Sequence, residues 1–159
     1  MITIIDLGLG NVNSVSRALT YLRIENVISS DAKKIEKAEK LIFPGVGNFF
    51  EASKRMYSTG IAGVIQKQVS GNKKPLLGIC LGMQLLAKTG EEGGSSDGLG
   101  LIDANVSKLK CEKDRYHLPH VGWNDISEHD MKWFSGVEDH SCFYFVHSYE
   151  MVLNDSNVE

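Results

Sequence analysis

Cysteine is scarce: Cys80, Cys111 and Cys142 are the only three in 159 residues. The number is odd and the spacings match no zinc or redox pattern, so the cysteines outline neither a disulfide framework nor a metal site. A reduced, cytoplasmic setting is the expectation that follows. Basic charge is not in excess, since the formal net charge is −3. No basic field therefore suggests nucleic acid. No apolar run approaches the roughly 18–20 residues of a membrane span. The opening "MITIIDL" is too short and too acidic for a secretory signal and reads as a strand. Repeats, low-complexity tracts and long linkers are also missing. What remains is an ordinary globular composition, 42% apolar and 23% charged. The length suffices for one compact domain, residues 1–159, with a real core.

Strand and helix patterns alternate along the first half. After "MITIIDL" and the turn "GLGN", Val12, Val15, Leu19 and Leu22 follow at helical spacing. "NVISS" suits a second strand, and Asp31 suits the cap of a helix "AKKIEKAEK". "KLIFPGVG" reads as a strand ending in a Pro/Gly turn. Ile61, Val64, Ile65 and Val69 mark another helix, and "PLLGI" the next strand. Strands separated by helices predict an α/β fold, a mostly parallel central sheet flanked by helices. Beyond Gly90 the pattern changes. "GEEGGSSDGLG" reads as a Gly-rich loop, and "LIDANVSKL" and "CFYFVHSYEMV" as strands of an antiparallel extension.

One corner stands out. Gly78-Ile79-Cys80-Leu81-Gly82 has the G-x-nucleophile-x-G form of a strand–turn–helix elbow. Glycines are needed where a strained turn leaves no room for side chains. A helix from Leu81 to about Lys88 would aim its positive dipole end at Cys80 and favour the thiolate. A small buried cysteine at a strand end is the plainer alternative. "FPGVGNF", residues 43–49, ends an earlier strand and would reach the same carboxyl edge, where ligands bind in parallel sheets. Its backbone N–H groups suit an oxyanion, although Pro and Gly also mark plain turns. Gly8 and Gly10 suggest a phosphate loop less well than a tight strand–helix turn.

Taken together, "IDLGLGN", "PGVGNF", "GICLGMQLLA", "EEGG", "PHVGWN" and "FYFVHSY" resemble, in order and spacing over nearly the whole chain, the class I (triad-type) glutamine amidotransferases. Within that family the chain is most similar to glutaminase subunits of histidine biosynthesis. The resemblance implies a flavodoxin-like sheet and glutamine as substrate. It implies Cys80 as nucleophile, forming a γ-glutamyl thioester. Gly47, with Val46 in the same turn, and the Leu81 N–H would form the oxyanion hole after a peptide flip. Gln84 and Glu92 would hold the glutamine head group, Glu92 by facing its ammonium; a solvated helix end is the alternative. His147, Ser148 and Tyr149 would line the pocket through backbone, or form an ordinary half-buried strand. Trp123 and Asn124 would face a (β/α)8-barrel cyclase that receives ammonia through a channel and forms imidazole glycerol phosphate and AICAR. Core packing is the alternative for Trp123. "KLKCEKDR", 108–115, would be a solvated hairpin or a partner contact. No cofactor or metal is implied.

The chain departs from the family at the general base. A triad-type enzyme carries His-Pro-Glu, yet none of His117, His120, His129, His140 and His147 is followed by Glu two residues on. The expectation is a chain incomplete at its C-terminal end, or one that has lost its base; His147 matches a different position of the family. Two other readings stay open: a paralogue supplying ammonia for surface-polysaccharide sugars, and a non-catalytic pseudo-amidotransferase.

Overall fold

The computed structural model describes residues 1–110, 117–127 and 134–154. Cys111 and most of the basic-leaning 108–115 segment lie outside the described residues, as does His129.

Apolar strands of four to six residues form the centre: β1 (Ile2–Ile5), β2 (Asn26–Ser29), β3 (Lys40–Gly45) and β4 (Leu76–Cys80). They pair in the order β2-β1-β3-β4, every pair parallel. Alternation along the strands divides the core between two faces. Ile4 and Ile42 join Val12 of helix α1 (Val12–Tyr21), with Val15, Leu19 and Ile28 packed around them. The intervening residues face the other way, and Thr3 reaches the Lys34 carbonyl of α2 (Ala32–Lys37) at 3.5 Å. Helices α3 (Phe49–Ser58) and α4 (Ile61–Gln66) bury Phe49, Met56, Ile61 and Ile65. α4 runs into a π-helical turn, Lys67–Gly71.

Local chemistry explains several boundaries. Asn11 caps α1 by accepting from the Ser14 N–H, and Asp31 caps α2 by accepting from Lys33 at 2.7 Å. α2 stops at Lys37 because Ala38 turns extended and Lys40 already belongs to β3. Leu22, placed on the inner face by spacing, is 62% exposed, because it caps the C-terminal end of α1 rather than continuing it.

The helix predicted from Leu81 to Lys88 is instead a single turn, α5 (Leu81–Gln84). Leu86 and Ala87 bond back only three residues, to Met83 and Gln84, which tightens the chain out of the helix. The carbonyls of residues 85–88 then accept from residues 98–102, including Leu99 N–H to Leu85 at 2.7 Å. That segment can come so close because Gly98 has no Cβ to strike the Ala87 carbonyl.

The supposed Gly-rich loop contains a two-residue hairpin, β5 (Thr89–Gly90) against β6 (Ser96–Asp97). The first of the two late strands shrinks to β7 (Ala104–Lys108), parallel to β5, so the extension is mixed rather than antiparallel throughout. The second divides at Ser148 into β9 (Ser141–His147) and β10 (Tyr149–Leu153). β9 pairs antiparallel with β8 (His120–Ile126), while β10 lies in the order β10-β7-β5-β6.

Two compact units result. One spans Met1–Ser107 and resumes at Met151; the other is Lys108–Glu150. Among the described residues no helix is long and apolar enough to cross a membrane.

Burial separates two leucines of identical chemistry. Leu41 is 1% exposed and Leu22 is 62% exposed. Leu41→Ala should lower unfolding stability in urea by about 2–5 kcal/mol, whereas Leu22→Ala should stay within about 0.5 kcal/mol.

Candidate active site

The register of β3 on β4 builds the site. Leu41 pairs with Leu76 and, four steps on, Gly45 pairs with Cys80. Parallel strands end at the same edge, so the turn Val46–Gly47 and the cysteine leave the sheet side by side. A third turn joins them: the Val46 N–H donates to the Leu9 carbonyl at 2.7 Å, and the space a Cβ on Gly10 would take is 3.3 Å from the Pro44 carbonyl oxygen. Gly8-Leu9-Gly10 is thus a strand–helix turn, drawn in by the Gly8 N–H donating to Asp6.

Cys80 sits at φ 55°, ψ −120°, a conformation that an L-residue reaches only under strain of about 1–3 kcal/mol. The glycines around it explain how the strain is held. A Cβ on Gly78 would stand 2.5 Å from the Met83 Cα, and one on Gly45 would stand 2.8 Å from the Gly82 nitrogen. A Cβ on Gly82 would collide with the Phe43 carbonyl oxygen. Cys80 is free and exposed, not a buried core residue. Leu81 is 1% exposed and anchors the corner from below. The helix-dipole argument does not survive, since a four-residue α5 carries little macrodipole. Strain and access at the elbow are what distinguish the thiol.

The structure brings Cys80, Leu81, Val46 and Gly47 to one edge. Gly47 is at φ +114° with open space where a Cβ would be. The Val46 N–H, engaged by Leu9, is not available to an oxyanion in this state. Gln84 is half-buried on α5, the turn that follows Cys80. Glu92 is half-buried, and its Oε2 accepts from the Phe49 N–H at 2.9 Å. Glu92 therefore closes the start of α3, a bond absent from the sequence reading, as was the Leu9 contact.

His147, Ser148, Tyr149, Trp123 and Asn124 belong to the second unit. Trp123 is 70% exposed and meets the Tyr144 ring edge-on at 5.6 Å, so it is no core residue there. Asn124 Nδ2 lies 2.9 Å from His120 Nε2, and His120 Nδ1 lies 3.1 Å from His147 Nε2. His147 Nδ1 lies 3.1 Å from the Tyr149 carbonyl. A carbonyl only accepts, so His147 Nδ1 carries the proton. The hydrogen bonds are then satisfied with an Nδ1–H donor on each ring and Nε2 as acceptor. The Leu109 N–H donates to the Ser148 carbonyl at 2.9 Å. This network fixes the kink between β9 and β10.

His140 Nδ1 contacts Asp125 Oδ2 at 2.6 Å. The hydrogen bond to Asp125, with the Asp139 charge, raises the His140 pKa, and the bond from His140 lowers that of Asp125. The His140 contribution is complete below the ordinary histidine range and is lost as pH rises through the raised value. The Asp125 contribution is complete above the ordinary carboxylate range and is lost as pH falls through the lowered value. The pair is whole between those limits, and water and salt screen it because both groups are exposed.

Three outcomes follow. Gly82→Ala should destabilise the chain by about 1–3 kcal/mol or more in urea, because a Cβ has nowhere to go. A diazo-ketone analogue of glutamine should label Cys80 alone by peptide mass mapping. Simple alkylation is the weaker test, because Cys142 is exposed as well. Labelling of Cys142 at the same rate by the glutamine analogue would refute the assignment. In an NMR titration, Asp125→Asn should lower the His140 midpoint; an unchanged midpoint would show that the contact does not persist in solution.

Comparison with known proteins gives the family and the fold. The family described as "Glutamine amidotransferase class-I" matches residues 3–159. The imidazole glycerol phosphate synthase subunit HisH 1 of Campylobacter jejuni is 42% identical over 99% of this chain and 79% of its own length. The HisH subunit of a Geobacillus species is 44% identical over 99% of this chain and 76% of its own. A solved glutamine amidotransferase superposes with TM-score 0.69 at 22% identity, covering 97% of this chain and 74% of that one. Another, from Thermotoga maritima, gives 0.62 at 18% identity over 96% and 62%. These two structures bear on the fold alone, and they carry the same α/β architecture. By sequence over nearly its full length, the chain belongs to the class-I glutamine amidotransferase family.

Proposed function

We propose that this chain is the glutaminase subunit of an imidazole glycerol phosphate synthase, releasing ammonia from glutamine for a (β/α)8-barrel cyclase in histidine biosynthesis. The observation that carries the chemistry is the strained, exposed Cys80 paired in register with Gly45 beside the Val46–Gly47 turn. The names of the relatives carry the choice of acceptor. A cytoplasmic setting suits a reactive thiol of this kind.

In this reading the Cys80 thiolate attacks the glutamine side-chain carbonyl carbon. The carbon–nitrogen bond then breaks, the leaving NH2 group takes up the proton given up by the thiol and departs as neutral ammonia, and a γ-glutamyl thioester remains. Water hydrolyses the thioester to glutamate. The Leu81 N–H and an N–H of the Val46–Gly47 turn stabilise the oxyanion, and Gln84 with Glu92 holds the head group. His147, Ser148 and Tyr149 line the pocket through backbone. Trp123 and Asn124 face the barrel, to which ammonia passes unprotonated, keeping its nucleophilic lone pair. Both halves of the reaction need a general base, and no His-x-Glu stands in the chain. Residues 1–159 should therefore show a steady-state glutaminase rate roughly 10³-fold or more below a complete triad enzyme. A robust rate in a coupled glutamate assay would point to a substitute base. Absence of turnover by the full gene product, even with an added barrel synthase and its acceptor, would favour the pseudo-amidotransferase.

The positive φ of Gly47 supports a resting state in which the Gly47 N–H is turned away and only the Leu81 N–H is left as oxyanion donor, a deficit of about 3–4 kcal/mol on the barrier. Partner binding would release it by favouring the flipped peptide. Gly47→Pro is a poor probe, because proline cannot adopt φ +114°. Gly47→Ala is a better one. An L-side chain at that φ destabilises the resting turn by about 1–3 kcal/mol. The unstimulated rate of Cys80 labelling by the glutamine analogue should rise about five-fold or more. An unchanged or lower rate would refute the held-off turn.

A further inference from the structure

The Val46–Gly47 turn is pinned at both ends, and the second pin has a consequence for catalysis. Upstream, the Val46 N–H is held by the Leu9 carbonyl. Downstream, Glu92 takes the first two N–H groups of α3: Phe49 through its Oε2 at 2.9 Å and Phe50 through its backbone carbonyl at 3.2 Å. The same 91–93 turn lies against Asn48, since a Cβ on Gly93 would stand 2.6 Å from the Asn48 amide nitrogen. Asn48 in turn caps α3 through the Glu51 N–H. Phe49 itself is fully buried, with Gly90 packed on its ring. Between the two pins only Val46, Gly47 and Asn48 remain, and Gly47 alone has both positive φ and open space around it.

We infer that Glu92 is a positioning residue for the Val46–Gly47 turn as well as a contact for glutamine, so that one carboxylate joins the substrate's ammonium to the backbone that supplies the oxyanion donor. The inference rests on the reading of Glu92 as the head-group acceptor. A carboxylate has two oxygens, and Oε2 is already committed to the Phe49 N–H. Oε1 is the one left for an ammonium. While Oε2 stays in place, a peptide flip is confined to Val46–Gly47 and the first turn of α3 does not move. Without that bond, the same flip competes with fraying of α3, and fewer chains present the donor at the moment of attack.

Two substitutions separate charge from positioning. Glu92→Gln keeps an oxygen for the Phe49 N–H and removes the charge. Glu92→Ala removes both. The probe is the diazo-ketone analogue, with labelling of Cys80 followed by intact mass on residues 1–159. Half-saturation reports binding, and the limiting rate reports attack. Glu92→Gln should raise half-saturation about tenfold and leave the limiting rate within about twofold. Glu92→Ala should raise half-saturation similarly and lower the limiting rate about tenfold. Equal limiting rates in the two variants would overturn the positioning role. Unchanged half-saturation in Glu92→Gln would instead overturn the ammonium contact. Amide NMR gives an independent readout. Glutamine should shift the Phe49 amide signal in the unsubstituted chain and not in Glu92→Gln. A Phe49 signal that ignores saturating glutamine in the unsubstituted chain would also overturn the proposal.

Discussion

Gly82 lies against the Phe43 carbonyl with no space for even a methyl group, and the site depends on that contact. It closes the corner after β4 onto β3, so that the chain leaving Cys80 and the chain leaving Gly45 cross within a backbone's width. The pairing of Gly45 with Cys80 sets the register, and Gly78 and Gly82 let the corner fold over it. The cost appears as positive φ at Cys80, where a β-carbon is normally excluded. Surrounding packing meets that cost. Leu81 and Leu85 are almost wholly buried, and the chain from 98 to 102 binds the carbonyls that a longer helix would have used.

The same edge joins two turns of different rigidity. The elbow is preformed, because its glycines and its buried leucine admit no other path. The neighbouring turn is not committed in the same way. Its Val46 N–H is spent on Leu9, and Gly47 occupies a conformation that glycine alone adopts readily. Among the described residues, β4 ends the parallel sheet, with Leu77 and Ile79 partly open.

Much of this was legible in the residues. The four central strands, the Asp31 cap and the elbow follow from apolar runs, a capping side chain and paired glycines, all local signals. α5 is shorter than its spacing suggests because Leu81, Leu85 and Leu86 keep helical spacing, although the Leu85 and Leu86 carbonyls bond to residues 99–102; periodicity does not record which partner a carbonyl finds. α3 escaped notice, yet Asn48 and Glu51 stand three apart as a capping signal, and Asn48 does cap Glu51. The break at Ser148 is invisible in "CFYFVHSYEMV", because it is made by His147, Tyr149 and Leu109 across a fold. The Leu9–Val46 and Glu92–Phe49 bonds join residues tens of positions apart, and no spacing rule finds them.

Incubation of residues 1–159 with glutamine itself, followed by intact mass and peptide mapping, tests the central claim most directly. With a competent nucleophile and no His-x-Glu base, the chain should gain slowly one γ-glutamyl group on Cys80, releasing about one ammonia per chain as it does so and turning over only at the roughly 10³-fold reduced rate thereafter. A chain that stays unmodified after prolonged saturation, or carries the acyl group on another residue, would contradict the assignment of Cys80 as the glutamine-attacking thiol.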